Sequence, residues 1–281
     1  VAGTLGETIM TKAQNIEQQD PVEVSVITTS MNYGRFLPKC IESVMNQNTN
    51  FPYVLHHIII DGGSTDDTAE VLKKYAARYP NLYYEINLGE SQTAALNHAM
   101  KIIEEKFPET NYVGWLNADD YYRSYWLEAS LTTLKREKSD VAMTCGGRGL
   151  DRGSPSPRKK VKPKRRKTAK RKVVPYVRIH KMAKGNMVCQ PTVLIKTSSF
   201  RALKKKYGYY FDPADEYTQD YDLWCRFIMS GFKIRRIAGV VAMVRKHPQM
   251  MTITHNRQQN EAAAKVSQRV CAWLARKKKK G

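Results

Sequence analysis

No part of this chain is apolar for long. Nothing approaches the roughly 18 consecutive apolar residues that suggest a membrane-spanning helix, so an integral membrane protein is not expected. The opening residues 1–20 have no basic start and no apolar block. They lack the pattern of a signal peptide and read as a polar arm. Cysteine is sparse: Cys40, Cys145, Cys189, Cys225 and Cys271 are scattered, odd in number and never spaced C-x-x-C. That argues against a zinc site or a disulfide framework and suits small buried side chains in a reducing compartment. A cytoplasmic protein is the expectation. The glycine signatures of phosphate-binding loops are missing as well. GxGxxG does not occur, and there is no Walker loop with its Lys-Ser/Thr. No internal repeat is visible.

Positive charge is abundant and unevenly placed. The 281 residues carry a formal net charge of +21. Residues 158–172 supply about half of that excess, and residues 276–280 form a second basic run. Blocks of like charge stay solvated and attract polyanions. An anionic membrane touched peripherally is the expected partner of these runs; nucleic acid is not. Outside them the chain is much closer to neutral, so charge says little about the core activity.

The remainder alternates between two periodicities. Residues 22–29 and 57–60 are β-rich apolar runs, each breaking into small polar residues and then a helical spacing over 37–47 and 69–79. A third strand, 82–86, leads through Asn87-Leu88-Gly89-Glu90-Ser91-Gln92 into a helix over 93–107. Strands alternating with helices imply a mostly parallel sheet. Further on, the pattern predicts a helix over 125–138, a strand over 140–146, a loop over 147–157 and a strand over 191–195. It then predicts helices over 198–206 and from 219, a strand pair over 233–244 and a helix over 258–277.

The stretch Tyr112-Val113-Gly114-Trp115-Leu116-Asn117-Ala118-Asp119-Asp120 organises the chain. A short buried strand delivers two adjacent carboxylates to its carboxyl end, where open α/β sheets bind ligands. Hard cations such as Mn²⁺ and Mg²⁺ prefer carboxylate oxygens and commonly bind one or two of them plus substrate phosphates. The competing reading makes Asp120 the cap of the helix that follows. Asp61, on a glycine turn beside the sheet edge, can accept hydrogen bonds from a base or ribose, or can simply close an Asx-turn. Asp220 begins a helix after an aromatic and acidic loop; an ionised carboxylate there can act as a general base, or as an N-cap. His247 can touch a phosphate or complete a metal shell, or lie on the surface. Trp115 and Trp224 suit the core, though Trp224 near Asp220 can line an acceptor pocket.

Taken in order, Val24-Ser25-Val26-Ile27-Thr28-Thr29-Ser30-Met31-Asn32, Ile59-Ile60-Asp61-Gly62-Gly63-Ser64-Thr65-Asp66 and Asn87-Leu88-Gly89 through Asn97 resemble the nucleotide-binding half of family 2 glycosyltransferases with the GT-A fold. Leu116 to Asp120 looks like that family's DXD region, Gln190-Pro191-Thr192-Val193 like its acceptor-side strand, and Gln219-Asp220-Tyr221-Asp222-Leu223-Trp224 like its base-bearing motif. The resemblance implies that Thr29 and Asp61 contact the base and ribose, with Ser30, Asn32, Gly63, Ser64, Gly89, Gln92 and Asn97 in the same donor-binding segments. It implies Asp119 at the ribose or sugar, Asp120 as the closest metal ligand and Asp220 as the base; His247 stays a second metal candidate on its own chemistry. Gln190 and Trp224 fall on the acceptor side. Asn117 stands where the commoner form has an acid, Gln219 where it has Glu, and the QxxRW string of processive synthases is absent.

The expectation is therefore an α/β, GT-A-like domain over residues 22–257, with a basic insertion at about 151–172, preceded by an arm over 1–21 and followed by a C-terminal helix and basic tail over 258–281. The expected activity is a Mn²⁺- or Mg²⁺-dependent inverting transfer from a nucleotide-diphosphate sugar, a UDP-sugar, to a glycan or glycolipid acceptor. A nucleotidyltransferase, or a polyanion-binding protein on an inactive transferase fold, are the alternatives. The sugar, the linkage and the oligomeric state are not written in the sequence.

Overall fold

The structure, a computed structural model, describes residues 20–86, 91–136, 143–151 and 177–279. Strands and helices alternate through β1 (Val22–Ser30), α1 (Leu37–Met45), β2 (Tyr53–Asp61), α2 (Thr68–Arg78), β3 (Leu82–Ile86), α3 (Gln92–Lys106) and β4 (Tyr112–Trp115). Then come β5 (Asp120–Tyr122), α4 (Trp126–Arg136), β6 (Met143–Asp151), a 3₁₀ turn (Gln190–Thr192), β7 (Leu194–Lys196), α5 (Thr197–Tyr207), α6 (Gln219–Met229), β8 (Ile234–Arg245) and α7 (Asn256–Lys278). Single helical turns lie at Ile179–Met182 and Met251–Thr254.

Among the described residues, eight strands make one sheet in the order β3-β2-β1-β4-β7-β6-β8-β5. β1 pairs in parallel with both β2 and β4, and β2 with β3. Parallel strands covered on both faces read as near-continuous apolar runs rather than alternations, and Ile58-Ile59-Ile60 is one. Its side chains still divide by period two. Ile58 and Ile60 join the α3 residues Leu96, Ala99 and Ile103, whereas Ile59 joins Leu37 and Ile41 of α1 and Leu72 of α2. Each such burial contributes roughly 1.5–3 kcal/mol. α1 presents Leu37, Cys40, Ile41 and Val44 inward, a helical stripe, and Pro38 sits at its start, where no backbone donor is needed.

Four local expectations are corrected. β2 begins at Tyr53, not at His57. Where a strand pair over 233–244 was expected, there is one strand of twelve residues, Ile234–Arg245; Gly239, at φ 110°, suggests a turn, but β6 runs beside β8 with register shifts at Cys145/Gly147 and Gly147/Arg148 that absorb the irregularity. For the same reason β6 continues to Asp151 where a loop from 147 was expected. Residues 190–192 are a 3₁₀ turn rather than strand, because Pro191 has no N–H to give a ladder. The basic block 158–172, the break at Gly89 and most of the N-terminal arm lie outside the described residues. Among those described, no helix is long and apolar enough to cross a membrane.

Candidate functional site

β1 has β2 on one side and β4 on the other, so the chain reverses its direction of travel across the sheet there. The loops leaving β1 and β4 diverge at that point, and such switch points are where open α/β sheets hold ligands. The loop after β1 is locked to the loop after β2. Asp61, buried at the end of β2 opposite Ser30, accepts from Gly63 N at 3.1 Å, Ser64 N at 2.8 Å and Ser64 Oγ at 2.6 Å. That is an Asx-turn. Asn32, at φ 58°, donates its backbone N–H to Ser64 Oγ at 2.7 Å and accepts from Thr65 N at 2.8 Å. Gly34 N donates to Asp66 Oδ2 at 3.0 Å. Burial acts to raise the Asp66 carboxyl, but donors from Thr68 and Gly34 outweigh it and hold it below the usual range.

Asp119 and Asp120 follow β4. Asp120 opens β5, antiparallel to β8, and so caps no helix; α4 starts six residues later. Its Oδ1 accepts from Arg245 N at 3.1 Å, and only 2% of the residue is exposed. Burial, then the neighbouring Asp119 charge, push its carboxyl well above the usual carboxylate range. The Arg245 guanidinium donates to the carbonyls of Asp119, Phe36 and Ala118, the last two at 2.8 and 3.2 Å, and lies over the Phe36 ring. It therefore ties the β1 and β4 loops together. His247 Nε2 is 3.0 Å from Asp119 Oδ2, with its ring against Phe36 and Tyr33. Burial, with the Asp119 and Asp120 charges, raises the Tyr33 hydroxyl to about 12.

Asp220 lies in the first turn of α6. Its Oδ2 accepts from Asn186 Nδ2 at 2.7 Å and its Oδ1 from Tyr221 N at 2.8 Å. Burial pushes its carboxyl up to about 6, against the hydrogen bonds from Tyr221 and Asn186, and Asp215 adds to the rise. Gln219 is buried and donates to Glu216 O at 2.5 Å. Gln190 Nε2 donates to Trp115 O at 2.9 Å, joining the 3₁₀ turn to β4.

A cavity of about 900 Å³ gathers these groups. Thr29, Gln92, Asp119, Asp120, Gln190 and Asp220 line it, and Gln92 Nε2 donates to Thr29 Oγ1 at 3.2 Å. Other expected residues stand elsewhere. Ser30, Asn32, Asp61, Gly63 and Ser64 make the interlocked loops beside the cavity rather than its lining. His247 stands behind Asp119. Asn97 serves the fold instead. Its amide donates to Phe211 O at 2.9 Å and accepts from Phe211 N at 3.0 Å, fastening α3 to the loop before α6. Trp224 is fully buried in the core, 6.3 Å from the Trp115 ring, and does not face the cavity. Gly89 lies outside the described residues. Asn186, Tyr33 and Arg245 belong to the site and were not singled out by the sequence; the adjacency of Arg245 to His247 was the available signal for one of them.

The profile of glycosyl transferase family 2 matches residues 25–207. EpsE of Bacillus subtilis is 28% identical over 234 residues, which are 80% of this chain and 73% of EpsE. Among solved structures, S. aureus TarS 1–349 in complex with UDP-GlcNAc superposes with a TM-score of 0.59 at 17% identity, covering 86% of this chain and 64% of that one. Mannosyltransferase PcManGT from Pyrobaculum calidifontis, in complex with GDP-Man and Mn²⁺, gives 0.55 at 14% identity, covering 100% and 85%. The α/β, GT-A-like fold implied by the motifs is the fold observed. The chain spans less than two thirds of the TarS fragment.

Proposed function

The chain belongs to glycosyl transferase family 2, and from that premise we propose that it moves a sugar from a nucleotide-diphosphate sugar to an acceptor hydroxyl, with inversion at the anomeric carbon. The donor is a UDP-sugar and the acceptor a glycan or glycolipid. The nucleotide sugars bound in the TarS and PcManGT complexes support the donor class. One observation carries the reading: a single cavity presents two unlike acidic groups, the adjacent pair Asp119–Asp120 and the separate Asp220.

Asp220 is the base. A carboxyl titrating at about 6 is ionised at neutral pH and still more basic than an ordinary carboxylate. It takes the acceptor proton as the acceptor oxygen bonds to the anomeric carbon. The bond from that carbon to the diphosphate breaks on the opposite face, and the electron pair leaves with the nucleotide. A single base suffices for inversion. Thr29 and Gln92 are joined to each other on the lining, which supports a role for both in receiving the nucleotide.

A divalent cation fits the other wall. Among the described residues the lining carries Asp119, Asp120 and Asp220 against the guanidinium of Arg236, so a diphosphate meets a wall of like charge. Burial, and after it the neighbouring Asp119 charge, raises the Asp120 carboxyl, and a cation there would favour its ionised form. Two hard carboxylates with room for phosphate oxygens are the donor set that Mn²⁺ or Mg²⁺ takes, although no group of three metal-ligating side chains occurs among the described residues. Asp120 and Asp119 would hold the ion, with His247 bracing Asp119. When bound, the cation offsets charge building on the departing diphosphate.

The test is a thermal-shift panel of UDP, GDP, CDP and TDP, each with Mn²⁺, Mg²⁺ or chelator. Stabilisation by UDP with metal and not with chelator is the expected result. No shift with any nucleotide would sink the reading.

A further inference from the structure

Among the described residues, Asp220 has one side-chain hydrogen-bond partner on the cavity wall, Asn186. Two hydrogen bonds orient the Asn186 amide. Its Oδ1 accepts from Val188 N at 3.1 Å, which leaves the NH₂ end to face Asp220 Oδ2 at 2.7 Å. The turn that carries Asn186 is fixed independently of this contact. The Ala183 carbonyl accepts from Ser267 Oγ of α7 at 2.6 Å, the Met182 carbonyl accepts from the Tyr221 hydroxyl of α6, and Gly185 N donates to Met182 O at 3.2 Å. Gly185, at φ 141°, lets the chain reverse there. A donor is thus presented to Asp220 from outside the helix that bears it, while Tyr221 N occupies the other carboxylate oxygen.

We propose that Asn186 is the positioning residue of this site: it fixes the orientation of the Asp220 carboxylate toward the cavity and favours its ionised form. The inference rests on the reading of Asp220 as the base. The other groups around Asp220 do not supply this donor. Asp215, on the preceding loop, and Asp119 and Asp120, across the cavity, are acids; Cys225, on α6, is a thiol raised by burial. α7 faces the cavity with Gln259, Asn260 and Ala263, none of them charged, and Arg236 lies on the same lining.

The experiment follows the titration of Asp220 directly. The full chain is labelled with [¹³Cγ]Asp, and the Asp220 signal is identified by its loss in Asp220→Asn. Wild type is expected to titrate near 6. Asn186→Ala removes the donor and should raise that midpoint by about half a unit, a modest shift because Asn186 is exposed to solvent. Asn186→Asp keeps the size and the acceptor for Val188 N while placing a second acid against Asp220, and should raise it further, with the two carboxyls titrating as a pair. In sugar transfer, the acidic limb of kcat should move with the midpoint. A wild-type midpoint in Asn186→Asp, with thermal unfolding unchanged, would overturn the proposal even where Asn186→Ala fails to fold. The underlying reading fails separately: if Asp220→Asn still transfers sugar, Asp220 is not the base, whatever Asn186 does.

Discussion

A carboxyl held at about 6 weakens the fold at neutral pH, because burial disfavours its charge. The sign follows from linkage. The native state binds more protons than the unfolded chain between the ordinary Asp value and 6, so stability is lost as pH rises through that window. Asp220→Asn removes the charge, and its melting temperature should exceed wild type above pH 6 and converge with it below the ordinary Asp range; a lower melting temperature at every pH would contradict the burial argument. The same variant should lose turnover by roughly 10²–10⁴-fold and keep nucleotide binding, and equal loss of both would refute the base assignment. Asp120→Ala should abolish the metal dependence of nucleotide binding, read by the thermal-shift panel with and without chelator. The acids of this site were legible as residue types because each follows a strand or opens a helix. Asn186 was not, since an asparagine between a glycine and a methionine looks like any turn. Asn97 and Trp224 were legible only as members of motifs, and packing gave both of them structural work.

Among the elements, the loops after β1 and β2 stiffen each other by interlocking hydrogen bonds. Gly34 is one of the contacts between them. A Cβ there would stand 2.0 Å from Asp67 Oδ1 and 2.9 Å from the backbone N of Thr68. The carboxylate can swing aside, whereas the backbone cannot, so Gly34→Ala should part the loops and destabilise the protein by about 1–3 kcal/mol. Thermal unfolding measures this, and wild-type stability would show that the loops adjust freely. The helices and the first strands were visible in the periodicity because their apolar spacing is local. β5, the full length of β6 and the unbroken β8 were not. Residues 147–151, Gly-Arg-Gly-Leu-Asp, carry no strand pattern, and only pairing with β8 makes them extended. Asp120 likewise reads as a helix cap until β8 arrives beside it.

At the scale of the whole molecule, charge and topology are separable. The last turn of α7 ends in exposed Arg276, Lys277 and Lys278, far along a helix whose inner side reaches the core through Val266 and Val270. We propose that this basic end, with the run at 158–172, gives peripheral contact with anionic membrane. The full chain should co-sediment with phosphatidylserine-containing vesicles at low salt, release at high salt, and ignore phosphatidylcholine vesicles; equal binding to both vesicle types would remove the idea. The sequence by itself determined the α/β class, the order of its motifs and the family, because strand and helix periodicity and the residues after each strand are local in the chain. It also determined which acids were candidates. Tertiary structure decided which of them meet. Asp220 is far in sequence from the adjacent Asp119 and Asp120, and the three share one cavity because β4 ends at the switch point of the sheet and α6 packs beside it. The environment that raises Asp220, and the Asn186 amide that opposes the rise, exist only once α6, α7 and the 182–188 turn close around that carboxyl, since burial and hydrogen-bond geometry are properties of packing and not of sequence.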